Sequence, residues 1–286
     1  MLSLRRVIPR LALAVSAVIA ADPAAAPTAD VAPLERAHAH NDYAHERPLL
    51  DALDAGFTSV EADVWLVDGE LRVAHDLEDT RPGVTLRSLY LDPLAERRSE
   101  CGGSVYRGWD GSLQLLIDIK SDGPSTYAAI DEALRAYPQL MTRWTDGKVH
   151  ERAVTAVISG NRPLADMAAQ RTRFAGYDGR LADLGSGRPA TLMPLVSDNW
   201  TTHFTWTGVG PMPEAERERL RSIVATAHDS GYRVRFWATP DQPGAARDAL
   251  WAELVAAGVD HVNTDDLTGL REFLLAEDPD EQPDAA

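Results

Sequence analysis

The chain has 286 residues, with 28 lysines and arginines against 44 acidic residues, for a formal net charge of -16. Hydrophobic residues make up 44% and charged residues 25%, the balance of a folded globular protein. The acidity excludes the basic face that a nucleic-acid binder carries. A single cysteine, Cys101, excludes an internal disulfide framework and a cysteine zinc ribbon. The length fits one α/β barrel of about 250 residues, or two domains of about 150.

Residues 1–21 read as a cleavable leader. A basic start bearing Arg5 and Arg6 precedes an apolar run over 11–20, and small residues around Ala20 offer a cleavage site. That run is too short to cross roughly 30 Å of hydrocarbon, which takes about 20 residues. A secreted or extracytoplasmic protein is therefore expected. Residues 22–33 are rich in alanine and proline and read as a tether, and 277–286 read as a disordered acidic tail.

Between these ends, over 34–276, strand-like and helix-like patterns alternate. In chain order they are a strand at 35–40, a helix at 48–55, a strand at 59–66 and a hairpin over 67–75 turning at Asp68-Gly69. A helix at 85–98, a strand at 113–119, a helix at 125–137, a strand at 153–159 and a helix at 164–170 follow. A strand at 173–176 leads into 178–189, too rich in Gly and Asp for a helix. Then come a strand at 192–197, a helix at 213–230, a strand at 233–238, a helix at 244–257, a strand at 259–263 and a helix at 268–275. Strands alternating with helices imply a parallel sheet covered on the outside. Eight of them predict a single-domain (β/α)8 TIM-type barrel with a hairpin insertion after the second strand. Its chemistry is expected where strands end and run into their loops.

Several of those ends carry polar groups. Glu61 and Asp63, two apart on a strand, share a face. Two ionised carboxylates so placed repel each other and resist desolvation. Mg²⁺ or Ca²⁺ would relieve both, as would arginines on neighbouring helices if the pair faced outward. Asp118 and Lys120 also share a face. Asp118 offers a third oxygen ligand and Lys120 a point charge for a phosphate oxygen, unless the two simply pair. The first strand ends in His38-Ala39-His40-Asn41-Asp42-Tyr43, and the hairpin closes on His75-Asp76. Two imidazoles flanking one cation suit general base and general acid. Asn263 and Asp265 share a face at the eighth strand's end, to orient substrate or to cap the last helix. The aromatics of 106–109 and 199–206 read either as contacts to a lipid or organic head group or as packing over the rim. Cys101 reads as a buried, idle thiol.

The order His-Asn, Glu-x-Asp, His, Asp-x-Lys resembles the phospholipase C-like phosphodiesterases, which include phosphatidylinositol-specific phospholipase C and glycerophosphodiester phosphodiesterases. The segments His40-Asn41-Asp42-Tyr43, 59–65 and 262–266 look closest to the altered-inheritance-of-mitochondria branch, and the likeness spans about 34–276. It implies a metal-dependent phosphoric diester hydrolase acting on a glycerophosphodiester or phospholipid head group. By that resemblance His40 and His75 are catalytic, and Asn41, Glu61, Asp63 and Asp118 hold one Mg²⁺ or Ca²⁺. Lys120 matches a phosphate contact and Trp237 an aromatic of the substrate pocket; Arg235 is expected to add positive potential. The His-Arg-Gly start and Pro-Glu-Asn-Thr segment of glycerophosphodiesterases are absent, which departs from that substrate. His38 has no role in the family pattern, though strand alternation places it on the face of His40. The expected partner is a small-molecule or lipid phosphodiester, met by a monomer with at most peripheral membrane contact.

Two rivals come from other classes. An amidohydrolase-type metal hydrolase also ends its first strand in His-x-His, but needs further histidine ligands, and His150, His203, His228 and His261 do not end strands. A non-catalytic extracellular binding barrel would keep the cation and lose one acid/base histidine; His40 and His75 are both present.

Overall fold

The computed structural model describes residues 31–281. The expected leader, most of the tether and the last five residues of the tail lie outside the described residues. From Leu34–Ala39 (β1) the chain passes through α1 (Leu50–Asp54) to β2 (Phe57–Val67), which turns back as β3 (Glu70–Val73). A π-helical turn at Arg87–Leu91 and α2 (Asp92–Glu100) lead to β4 (Leu113–Ile119) and α3 (Gly123–Arg135). The short strands β5 (Arg143–Thr145) and β6 (Lys148–His150) precede β7 (Val154–Gly160), α4 (Leu164–Ala169), β8 (Thr172–Arg173) and β9 (Ala175–Gly179). Then follow β10 (Leu195–Asn199), α5 (Trp200–His203), α6 (Glu214–Asp229), β11 (Arg233–Trp237), α7 (Ala245–Ala256), β12 (His261–Thr264) and α8 (Leu267–Glu277).

Eight of these strands, β1, β2, β4, β7, β9, β10, β11 and β12, run parallel, and β1 pairs with both β2 and β12, closing the sheet. This is the expected (β/α)8 barrel. Period-2 alternation sorts its side chains. On β2 and β4, Val60, Ala62, Val64, Leu115, Ile117 and Ile119 belong to the main hydrophobic core, while Leu116 joins Val157 and Leu195 in a separate small cluster. The residues between them, Ser59, Glu61, Asp63, Gln114 and Asp118, turn to the barrel's other face. Fully burying each aliphatic side chain is worth about 1.5–3 kcal/mol as an upper bound, so the outward-facing layer holds the helices on.

The hairpin forms as expected: β2 and β3 are antiparallel, and Asp68 and Gly69 both take positive φ, as this tight turn demands. Three local readings need correction. The fifth barrel strand is β9, starting two residues later than 173–176 and ending three later, because Asp178 is buried inside the strand rather than opening a loop. Thr172–Arg173 instead joins β5 and β6 in a three-stranded side sheet. The tail is the third. Asp278 is buried, Arg36 bonds Asp278 and Asp280 at 2.6 Å each, and the Arg36 amide donates to Glu281 at 2.8 Å. Thus 277–281 are held against the start of β1.

Candidate active site

The first-strand histidines, the Glu-x-Asp pair and the Asp-x-Lys pair meet because three strand ends lie side by side. The β2–β4 register sets Asp63 directly opposite Asp118, with Glu61 one step below. Ligand oxygens of Glu61, Asp63 and Asp118 lie within 4.8 Å of one another, the one such group of three among the described residues. Gly160, at the end of β7, is what lets Asp118 stand there, for a Cβ at that position would fall 2.1 Å from its Oδ1. A cavity of about 460 Å³ opens over the cluster. It is lined by each residue given a catalytic, metal or substrate role from the sequence: His40, Asn41, Glu61, Asp63, His75, Asp118, Lys120, Arg235 and Trp237.

The hydrogen bonds show how each group is held. Arg235 Nη2 donates to Glu61 Oε2 at 2.8 Å, and the same guanidinium grips Asn263 Oδ1. Arg235 therefore lines the cavity with its charge already committed to Glu61. Lys120 Nζ lies 3.0 Å from Asp63 and 3.4 Å from Asp118. The Tyr43 hydroxyl reaches both Asn41 Oδ1, at 2.7 Å, and Asp63 Oδ2, at 2.8 Å, so Asn41 is tied to the carboxylate cluster. His40 Nδ1 meets Asp265 Oδ1 at 2.8 Å, with Nε2 4.0 Å from Glu61. His75 stands at the exposed rim, 3.1 Å from Asp76.

The charges are in tension. Burial, with the charge of Glu61 beside it, pushes Asp63 up to about 6, and burial also raises Asp118. Burial opposes ionisation of Glu61 too, but Arg235 and the neighbouring histidines outweigh it and its pKa is lowered. Burial would lower His40; its bond to Asp265 and the charge of Glu61 override that, and its pKa is raised. Asp63 Oδ1 is buried and has no partner. Three crowded carboxylates, one with an orphaned oxygen, form a donor set that fits a hard divalent cation. Glu61, Asp63 and Asp118 would hold it, with the amide oxygen of Asn41 at hand.

Sequence reading missed the far wall, made by Ser159, Asn161 and Arg180. Arg180 Nη1 pairs with Asp178 Oδ2 at 2.7 Å, and the Ser159 and Ser197 hydroxyls donate to the same oxygen. The signal is an Asp-Gly-Arg run, 178–180, at the end of β9, which a strand ending at 176 leaves in a loop. Asp265 was seen, but its bond to His40 was not. The aromatics of 199–206 settle as packing: Trp200, Phe204 and Trp206 are buried, with Trp200 stacked on Phe204 at 4.1 Å. Cys101 is buried, as expected. His150 lies in the side sheet and His228 on α6, so neither supplies the histidine set an amidohydrolase needs.

The AIM6-like phosphodiesterase domain model matches residues 26–178, and the glycerophosphoryl diester phosphodiesterase family model matches 233–268. The chain is 31% identical to altered inheritance of mitochondria protein 6 of Eremothecium gossypii, covering 86% of this chain and 71% of that protein. The homolog from Arthroderma benhamiae is 29% identical, covering 82% of each. A solved glycerophosphoryl diester phosphodiesterase from Parabacteroides distasonis is a remoter likeness, 15% identical with TM-score 0.47, covering 86% of this chain and 87% of that one. The chain belongs to the AIM6-like phosphodiesterase domain family.

Proposed function

We propose that the chain is a divalent-metal-dependent phosphoric diester hydrolase acting on a glycerophosphodiester or a phospholipid head group. The observation that carries this is the convergence of Glu61, Asp63 and Asp118 with His40 and His75 in one cavity. Bound to the carboxylates, Mg²⁺ or Ca²⁺ supplies positive charge for a non-bridging phosphate oxygen. The chain's own groups do the rest. Asp265 holds His40 by Nδ1, so Nε2 is free to take the proton of the attacking water, and the carboxylate stabilises the imidazolium that results. His75, at the rim, gives a proton to the leaving oxygen. Lys120, shared between Asp63 and Asp118, is free to swing to a phosphate oxygen when a cation takes its place.

Charge supports a diester in particular. Three carboxylates against Lys120 and Arg235 leave one negative charge, which a divalent ion turns into one positive charge. The Arg180–Asp178 pair adds nothing net, and Asp265, beside a neutral His40, is more than half exposed and screened by water. A phosphodiester monoanion neutralises such a site, whereas a monoester dianion overshoots it. Trp237 at the end of β11 offers a flat apolar wall for the organic part. The basic and apolar start of the sequence supports an extracytoplasmic setting.

The test is cleavage of a panel of glycerophosphodiesters and phospholipids in EDTA, Mg²⁺ or Ca²⁺, with His40→Ala and Asp63→Asn beside the wild type. Metal-dependent release of phosphomonoester, absent from both variants, is expected. Stoichiometric metal binding with no turnover of any diester would favour a non-catalytic binding barrel instead.

A further inference from the structure

His38 carries none of the roles that the resemblance implies and is sealed inside the barrel at 0% exposure, yet it sits against Glu61 of the proposed cation site. Its ring joins a chain of polar groups crossing the interior. Cα register places His38 opposite Ser59, and Ser59 opposite Gln114, so the three form one rung across β1, β2 and β4. Arg233 Nη2 donates to Gln114 Oε1 at 2.8 Å, and Gln114 Nε2 donates to Ser59 Oγ at 2.9 Å. Ser59 Oγ lies 2.6 Å from His38 Nδ1, and His38 Nε2 lies 3.5 Å from Glu61 Oε2.

Donor arithmetic fixes every proton along this chain. Arginine only donates, so the Gln114 group facing it is the oxygen and the group facing Ser59 is the NH₂. Ser59 Oγ therefore accepts from Gln114. Its own proton has one acceptor within reach among the described residues, His38 Nδ1. Nδ1 is then the bare nitrogen, and Nε2 carries the hydrogen. The far end agrees: Nε2 has no hydrogen-bond partner, Glu61 Oε2 faces it at 3.5 Å, and the opposite tautomer would set a lone pair against that carboxylate.

We propose that Arg233, Gln114 and Ser59 lock His38 as its Nε2–H tautomer, and that His38 is a positioning residue for Glu61. Arg235 Nη2 donates to Oε2 at 2.8 Å and the His38 Nε2–H faces the same oxygen at 3.5 Å, longer than a full hydrogen bond, so both donors stand on the Oε2 side and none on Oε1. Such outer groups set ligand orientation and typically carry 10- to 100-fold in metal affinity. The positioning role rests on Glu61 being a cation ligand; the tautomer does not.

The experiment combines two readouts on the full chain. Long-range ¹H–¹⁵N correlation of the His38 ring at neutral pH is expected to show Nδ1 unprotonated and Nε2 protonated, with Ser59→Ala releasing a fraction into the other tautomer. Calorimetric titration with Mg²⁺ and Ca²⁺ is expected to show His38→Leu weakened by about 10-fold or more, and His38→Gln, which keeps an N–H at that place, within about 3-fold of wild type. Thermal unfolding of each variant checks that the fold survives. Should His38→Leu not fold, Ser59→Ala and the wild-type spectrum still decide. A wild-type ring protonated on Nδ1 overturns the lock. Equal losses in folded His38→Gln and His38→Leu overturn the positioning role. A wild type with the expected tautomer that binds neither ion overturns the cation-site reading, and with it the positioning of Glu61 for a cation.

Discussion

The barrel has two mouths, and both open on a polar cavity of similar size. The one over the strands' C-terminal ends is about 460 Å³, and the one at their N-terminal ends is about 390 Å³, lined by Glu35, Arg36, Arg233, Asp260, His261 and Glu281 among others. Size therefore does not tell them apart. The crowding of their carboxylates does. At the lower mouth Arg36 is shared between Asp278 and Asp280, and Asp260 takes both His228 and a backbone amide. The buried ring nitrogens of His261 lack partners there, but burial lowers that pKa, so they are uncharged orphans. At the upper mouth three carboxylate oxygens crowd within 4.8 Å of one another, the one such group among the described residues, and a buried oxygen of Asp63 lacks a partner. Crowding like charges in a buried place destabilises a fold, so it marks a site awaiting a ligand.

The sharpest way to break this contrast is Asp63→Asn. Cation binding and diester cleavage should fall by about 10³-fold or more. The thermal midpoint of the metal-free protein should not drop, because burial already disfavours that charge. A large drop in midpoint would show the carboxylate to be structural.

Next in size is Asp265→Asn, for which about a 10- to 100-fold loss of kcat/KM is expected. His40 loses the partner that raises its pKa, so the acid limb of the pH–rate profile should move to lower pH. An unshifted limb would detach Asp265 from His40.

Proton competition should then appear in metal affinity. Asp63 holds its proton up to about pH 6 in the metal-free chain, and a cation must displace it. Affinity should be flat above that pH and fall by about tenfold per unit below it, read by calorimetry from pH 7.5 to 5. The smallest expected effect on chemistry is at the lower mouth. Arg36→Ala leaves Asp278 buried without its cation and should cost about 2–3 kcal/mol in urea unfolding, with kcat/KM within about 3-fold of wild type. Loss of activity at full stability would join the two mouths functionally.

Much of the upper mouth was legible because its residues sit at strand ends with i, i+2 spacing, which places two side chains on one face whatever the rest of the fold does. Glu61-x-Asp63 and Asp118-x-Lys120 are of this kind. Arg180 was not legible, since the buried Asp178 it neutralises looks like a loop residue until hydroxyls from β7 and β10 reach it. No local pattern encodes contacts drawn from three strands. The side sheet escaped for a different reason: β5 and β6 are each three residues long, too short to display alternation. The ordering of 278–281 depends on Arg36, more than 240 positions away in sequence.

The most direct test of the central claim is one titration followed two ways. Chelator-stripped protein is titrated with Mg²⁺ or Ca²⁺ while bound ion and diester cleavage are recorded on the same samples. The two curves should rise together and saturate at one ion per chain, with both lost in Asp118→Asn. Full cleavage in the stripped protein, or an ion bound at full occupancy in Asp118→Asn, would contradict a catalytic cation on Glu61, Asp63 and Asp118.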